Sequence, residues 1–200
     1  MLPTRLPRVV VVALAVLAVA CGDPTKPAPS YVNASSTYTL FALSGAPPTA
    51  ATAVSLLGGA VHANAAFAYD LAFDLDPSGQ TRVYPVRQVG GALANLERAA
   101  LGQASLPRVG LQQLAGPFES VREVPTAGYD TTSFATVAPG AVLAVELSEP
   151  SCFYSLGGQT ISAKLTVDSV NTTTRRIFLR TVVDPNCGYR SVVPDSLPTS

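Results

Sequence analysis

Two parts of this chain alternate apolar and polar residues with a period of two, and that pattern leaves few folds open. In residues 67–76 the odd positions are Phe, Tyr, Leu, Phe and Leu, while the even ones are Ala, Asp, Ala, Asp and Asp. Successive side chains of a strand point to opposite faces, so the large apolar groups share one face and the carboxylates the other. Pro77-Ser78-Gly79 supplies a tight turn, and residues 80–89 return as the partner strand of a hairpin. The second part lies further on. Ala141, Leu143, Val145 and Leu147 alternate with Val142, Ala144, Glu146 and Ser148, and Ile161, Ala163, Leu165 and Val167 with Ser162, Lys164, Thr166 and Asp168. Asn171-Thr172-Thr173-Thr174 reads as a turn, residues 177–183 return as a strand, and Asp184-Pro185-Asn186 ends it.

Shorter strands are expected at residues 36–43, 108–114, 118–124 and 133–137. Residues 49–66 are Ala-rich and split by Gly58-Gly59. They fit a loop, a buried strand pair or a short helix, because their periodicity does not choose. Leu93, Leu96, Ala100 and Leu101 fall at helical spacing with Gly at both ends, which predicts one short helix near 91–102. With only 13% charged residues but 17 Pro and 15 Gly, strands and turns are favoured over a helical bundle. The fold class is therefore mainly β: an antiparallel sandwich or partly closed barrel.

The first twenty-one residues stand apart. Arg5 and Arg8 precede an uncharged apolar run over 9–19, which ends in Ala20-Cys21. A basic start, a short apolar core and a small-residue exit make a secretory signal peptide. The run is shorter than the ~20 residues a membrane-spanning helix needs. Leu17-Ala18-Val19-Ala20-Cys21 resembles the leaders of bacterial lipoproteins, in which the Cys is diacylated and becomes the first mature residue. It departs from the commonest pattern in carrying Ala18 three residues before the Cys. The resemblance implies lipidation of Cys21 and covers the leader alone; Ala18-Val19-Ala20 also fits the cleavage site of a freely secreted protein. Gly22, where Asp would favour inner-membrane retention, implies the outer membrane.

Cysteine parity bears on the choice. The chain has three cysteines, and acylation of Cys21 leaves Cys152 and Cys187 to pair with each other. The final meander brings Cys187 back opposite Gly157-Gly158, near Cys152, and an exported compartment permits the bond. Two free thiols, or a bridge between two molecules, are the alternatives. The expected organisation is a signal peptide over 1–20, a lipidated Cys and Pro-rich tether over 21–34, one β-rich domain over 35–195 and a fraying tail over 196–200.

Without Arg5 and Arg8 the mature part keeps eleven basic residues against thirteen acidic ones. No basic patch remains to neutralise a run of phosphates, which argues against nucleic-acid partners. The expected partner is the membrane, reached through the lipid anchor, with any protein or glycan partner in the envelope left open.

Catalytic and metal chemistry is thinly represented. Asp74-Leu75-Asp76-Pro77-Ser78-Gly79 resembles the opening of a calcium loop, yet counting from Asp74, position nine is Arg82 and position twelve Pro85, where an EF-hand needs a bidentate Glu. A polar hairpin turn explains the same residues. His62 is the only histidine, too few for a His-rich zinc site and without a visible acid–base partner. Asp70, Asp74, Asp76, Glu119, Glu123, Glu146 and Glu149 are the carboxylates from which a glycosidase-type pair would have to come. Arg175, Arg176, Arg180 and Arg190 cluster near the last hairpin, where they could receive an anion or guard strands against edge pairing. No cofactor, metal site or catalytic residue is assigned. The expectation is a non-enzymatic binding or structural β module on a lipid anchor. The alternatives are an envelope hydrolase using carboxylates, and an assembly subunit that pairs by strand addition.

Overall fold

A computed structural model describes residues 27–64, 66, 68–91, 106–152, 158 and 160–198. Among these residues ten strands form two antiparallel five-stranded sheets that do not close into a barrel, so the sandwich is the correct member of the expected pair. The first sheet has the order β1-β10-β9-β8-β6 and the second β3-β2-β4-β5-β7. Along the chain these are β1 (Ala34–Phe41), β2 (Ala53–Ser55), β3 (Gly59–Val61), β4 (Leu71–Leu75) and β5 (Thr81–Pro85). They are followed by β6 (Val109–Leu114), β7 (Ala135–Val137), β8 (Val142–Ser148), β9 (Thr160–Asn171) and β10 (Arg176–Asp184).

The period-two stretches become the strands that face each other across the core. Phe73 and Leu71 from the second sheet meet Leu143, Val145, Leu147, Ile161, Leu165 and Leu179 from the first, all at most 1% exposed. Fully burying one such side chain stabilises a fold by about 1.5–3 kcal/mol. Residues 49–66 resolve into the strand-pair option: β2 and β3 form a short hairpin in the register Ala53↔Val61, and β2 continues onto β4.

The middle of the first sheet is covered on both faces. Val142, Ala144 and Val182 point away from the main core and pack with Phe118, Val124 and Val192 in a second, smaller apolar cluster. Residues 118–124, expected as a strand, supply this cover instead. Phe118–Ser120 is a 3-10 turn in which Ser120 donates its N–H to the Pro117 carbonyl at 3.0 Å, and only Glu123 bridges to another segment, at Ser191. Pro117 presets the turn's entry. The returning strand of the first hairpin also stops early. Pro85 has no N–H with which to continue the ladder, and Val86–Gly91 winds into a 3-10 helix. The helix expected near 91–102 falls, except for Gly91, outside the described residues.

Two close approaches depend on glycine. A Cβ on Gly110 would stand 2.7 Å from Cβ of Tyr129, whose loop lies over β6. One on Gly158 would stand 2.9 Å from Cα of Gly188. The ends of the described body are tied together. Asn186 accepts the N–H groups of Ser30 and Tyr31 on its Oδ1, and Asn33 donates from Nδ2 to the carbonyls of Ser191 and Val193. Asn33 also donates its N–H to Ser196. The docked chain thus begins before residue 35 and extends past residue 195.

Candidate functional site

Cys152 closes a 3-10 turn after β8 and Cys187 follows β10. The neighbouring Gly158 and Gly188 allow the two backbones to touch, and Gly188 donates its N–H to the Thr160 carbonyl. The two sulphurs lie 2.07 Å apart with a Cα–Cα distance of 5.4 Å, within the range a disulfide requires. Cys21 lies outside the described residues.

The carboxylates expected on a solvated strand face are placed otherwise. Asp70 and Asp74 are each only 8% exposed, because the loops that enter and leave β2 close over them. Asp70 accepts the Leu56 N–H at 2.7 Å. Burial pushes its carboxyl above the usual range, with Glu149 adding to the rise and the Leu56 hydrogen bond opposing it. Asp74 accepts from the N–H and Oγ of Ser44, from the Leu75 N–H and from the Arg175 guanidinium at 2.9 Å. Arg175, in the β9–β10 turn at φ 52°, also donates from Nε to the Ser44 carbonyl. One polar knot therefore joins the loop after β1, strand β4 and the last hairpin.

Asp76 is spent on its own turn. Its Oδ1 accepts the N–H and Oγ of Ser78 and the N–H of Gln80, and these bonds, led by that from the Ser78 hydroxyl, hold its carboxyl below the usual range. This turn meets the last hairpin where a Cβ on Gly79 would stand 2.9 Å from Cγ2 of Thr172. An open hollow of ≈ 360 Å³ lies there, lined by Leu75, Asp76, Pro77, Ser78, Gly79, Thr172 and Arg175. With Asp74 turned to Ser44 and Arg175, the two aspartates do not converge on a common point. No group of three His, Cys, Asp or Glu side chains suited to a metal ion occurs among the described residues.

The remaining candidates are dispersed. His62 is exposed, with Nδ1 2.9 Å from the Ala50 carbonyl, which makes that nitrogen the donor. Arg180 pairs with Glu119 at 2.6 Å and Asp168 at 2.9 Å, and Arg190 with Glu123 at 3.6 Å. Arg176 lies over the Phe41 ring. Glu149 accepts from Ser151 beside the disulfide turn. Three of the four clustered arginines are thus engaged by carboxylates, and no described pocket gathers all four.

Sequence reading missed Lys164. Its place between Ala163 and Leu165 on an alternating strand implied solvent, but it is 1% exposed. Its Nζ donates to the carbonyls of Phe118 at 2.9 Å and Val121 at 2.7 Å and sits 4.4 Å from the Phe118 ring centroid. Burial lowers its pKa from the ordinary lysine value, against the pull of Glu119. The one hint in the sequence was the company it keeps: Ser162 and Thr166, its neighbours on that face, carry no charge.

These features define a two-sheet antiparallel β sandwich whose polar groups are mostly consumed in holding its own loops. No family model matches the chain, and no curated protein or solved structure matches it either.

Proposed function

We propose that this protein is a lipid-anchored component of a bacterial cell envelope, held by an acylated Cys21 and acting as a non-enzymatic binding or structural module. The observation that carries the reading is the leader: Arg5 and Arg8, the uncharged run over 9–19 and the small residues before Cys21. The bonding distance between Cys152 and Cys187 supports export, since such pairs persist in oxidising compartments. It also leaves Cys21 as the odd cysteine, free to be acylated. Two acyl chains on one cysteine give stable anchoring where a single chain does not, and Gly22 favours the outer membrane. The dispersal of the carboxylates into turns and ion pairs supports a module without catalysis. A carboxylate hydrolase draws on one observation, the buried Asp70 with Glu149 near enough to raise its pKa.

Fatty-acid labelling of the expressed protein, followed by membrane fractionation, tests the anchor. Wild type takes up label and sediments with membranes, whereas Cys21→Ser takes up none and stays in the soluble fraction. A Cys21→Ser protein still found with membranes rejects the proposal.

A further inference from the structure

The folded body begins closer to Cys21 than the proline-rich composition of the tether implies. Tyr189 donates its hydroxyl to the Pro27 carbonyl at 2.8 Å. Asn186 accepts the N–H groups of Ser30 and Tyr31 on Oδ1 and donates from Nδ2 to the Tyr31 carbonyl. Both partners lie just past the end of β10, in the stretch that carries Cys187. From Pro27 onward the chain is therefore bound to the sandwich, and only residues 22–26 separate that point from Cys21. Whatever path they take, the distance from Cys21 to Pro27 is at most about 22 Å. The body is longer than this link: β10 alone, with nine residues, runs about 30 Å.

The end of the sandwich held by the link is also where apolar side chains are left uncovered. Five large apolar side chains are exposed among the described residues, and three of them are here: Tyr31 at 65%, Val32 at 56% and Leu197 at 50%. They come from two segments bound to each other, since Asn33 donates its N–H to Ser196 and accepts that of Asp195. β1 starts beside them at Ala34, opposite Val183 near the end of β10. The backbone behind them is braced by Asn186 on one side and by the bonds from Asn33 to Ser191 and Val193 on the other. Residues 27–33 and 193–198 contain a single charge, Asp195. Exposed apolar groups gathered in this way mark a contact surface, and a tyrosine, with an apolar ring and a polar tip, suits the headgroup boundary of a bilayer.

We propose that this end of the sandwich rests on the bilayer, with Tyr31, Val32 and Leu197 at the headgroup boundary and the β9–β10 turn pointing away from the lipid. The inference rests on acylation of Cys21 and adds which face of the domain meets the membrane. The link identifies the occupant. A bilayer that holds the acyl chains lies within about 22 Å of Pro27, so it is presented to the patch at a high effective concentration. Tethering makes the contact intramolecular. Three side chains, too few to hold a protein on a membrane by themselves, then suffice to set its orientation. With one carboxylate and no basic residue in the two segments, the contact draws on apolar burial and not on anionic lipid.

The chain contains no tryptophan, so single reporters read the contact. Tyr31→Trp, Val32→Trp and Leu197→Trp are made in the full acylated protein, with Thr173→Trp in the exposed β9–β10 turn as the distant control. Each is reconstituted into phosphatidylcholine vesicles with or without brominated acyl chains, after mass spectrometry of the N-terminus for the acyl groups. The three near reporters are expected to shift to the blue and to be quenched by the brominated lipid, at high salt as at low, while Thr173→Trp stays unquenched. Tyr31→Trp, which keeps an aromatic ring in place, decides the matter if tryptophan at 32 or 197 disturbs folding. Adding Val32→Asp and Leu197→Asp to Tyr31→Trp is expected to remove the quenching while the protein still sediments with vesicles. An acylated protein whose near reporters are quenched no more than Thr173→Trp, or whose quenching survives both aspartates, overturns this inference and leaves the anchor standing. A chain that carries no acyl group overturns both.

Discussion

Lys164 shows how one side chain organises a whole layer. Its stem lies among Val142, Ala144 and Val182, and its ammonium takes two carbonyls of the segment that covers them. Those carbonyls have no neighbouring strand to satisfy them, so the lysine replaces a ladder. A buried acceptor left unmet costs about 1–3 kcal/mol, and losing the stem adds a cavity. Lys164→Ala is therefore expected to lower the unfolding free energy by about 3 kcal/mol, and Lys164→Met, which keeps the stem, by less. Urea unfolding measures both. A loss within the ~0.5 kcal/mol usual for surface substitutions for Lys164→Ala would mean that the clamp contributes nothing. Alternation alone could not reveal this residue, because a period of two assigns a face and not what later covers that face.

At the scale of elements, the strands with large apolar residues at every second place were legible. β4 with its return β5, and β8 to β10, stand where the pattern puts them, although β4 is shorter than expected. β2 and β3 were not decidable, since Ala and Gly carry too little side chain to favour strand, helix or loop. Residues 118–124 misled because Phe118, Val121 and Val124 pack inward from an irregular path that only the sheet beneath defines. The loop from Cys152 to Cys187 encloses β9 and β10, and the 35-residue separation makes its closure worth roughly 3–4 kcal/mol in the chain-entropy model. Guanidinium unfolding with and without reductant should differ by about that amount. Two thiols that alkylate in the native, unreduced protein would refute the bridge.

Across the whole molecule, four carboxyls fall into two pairs with opposite pH linkage. Burial raises the carboxyls of Asp70 and Glu146, so between their ordinary and raised values the folded state binds more protons and stability falls as pH rises. Asp76 and Asp130 are held low, chiefly by bonds from Ser78 and Thr132. Their contribution is present above the ordinary carboxylate range and is lost as pH drops through it to their lowered values. Stability is expected to grow as pH falls through the raised values of Asp70 and Glu146 toward the ordinary carboxylate values near about 4, then decline below them. Thermal unfolding from pH 3 to 8 measures this. A steady fall in Tm from 7 downward would show that the buried acids do not set the profile. Charge lies close to the uncharged strand β1: Arg180, which pairs with Glu119 and Asp168, stands opposite Thr37 on β10.

By itself the amino-acid order determined the strand periodicity, the main hairpins and the candidate cysteine pair, because each is written in neighbouring residues or in parity. The three-dimensional packing decided that the middle of the first sheet is buried on both faces and that Asp70, Asp74 and Lys164 turn inward. Those outcomes depend on which distant segments come to lie over a strand, and no local pattern encodes that.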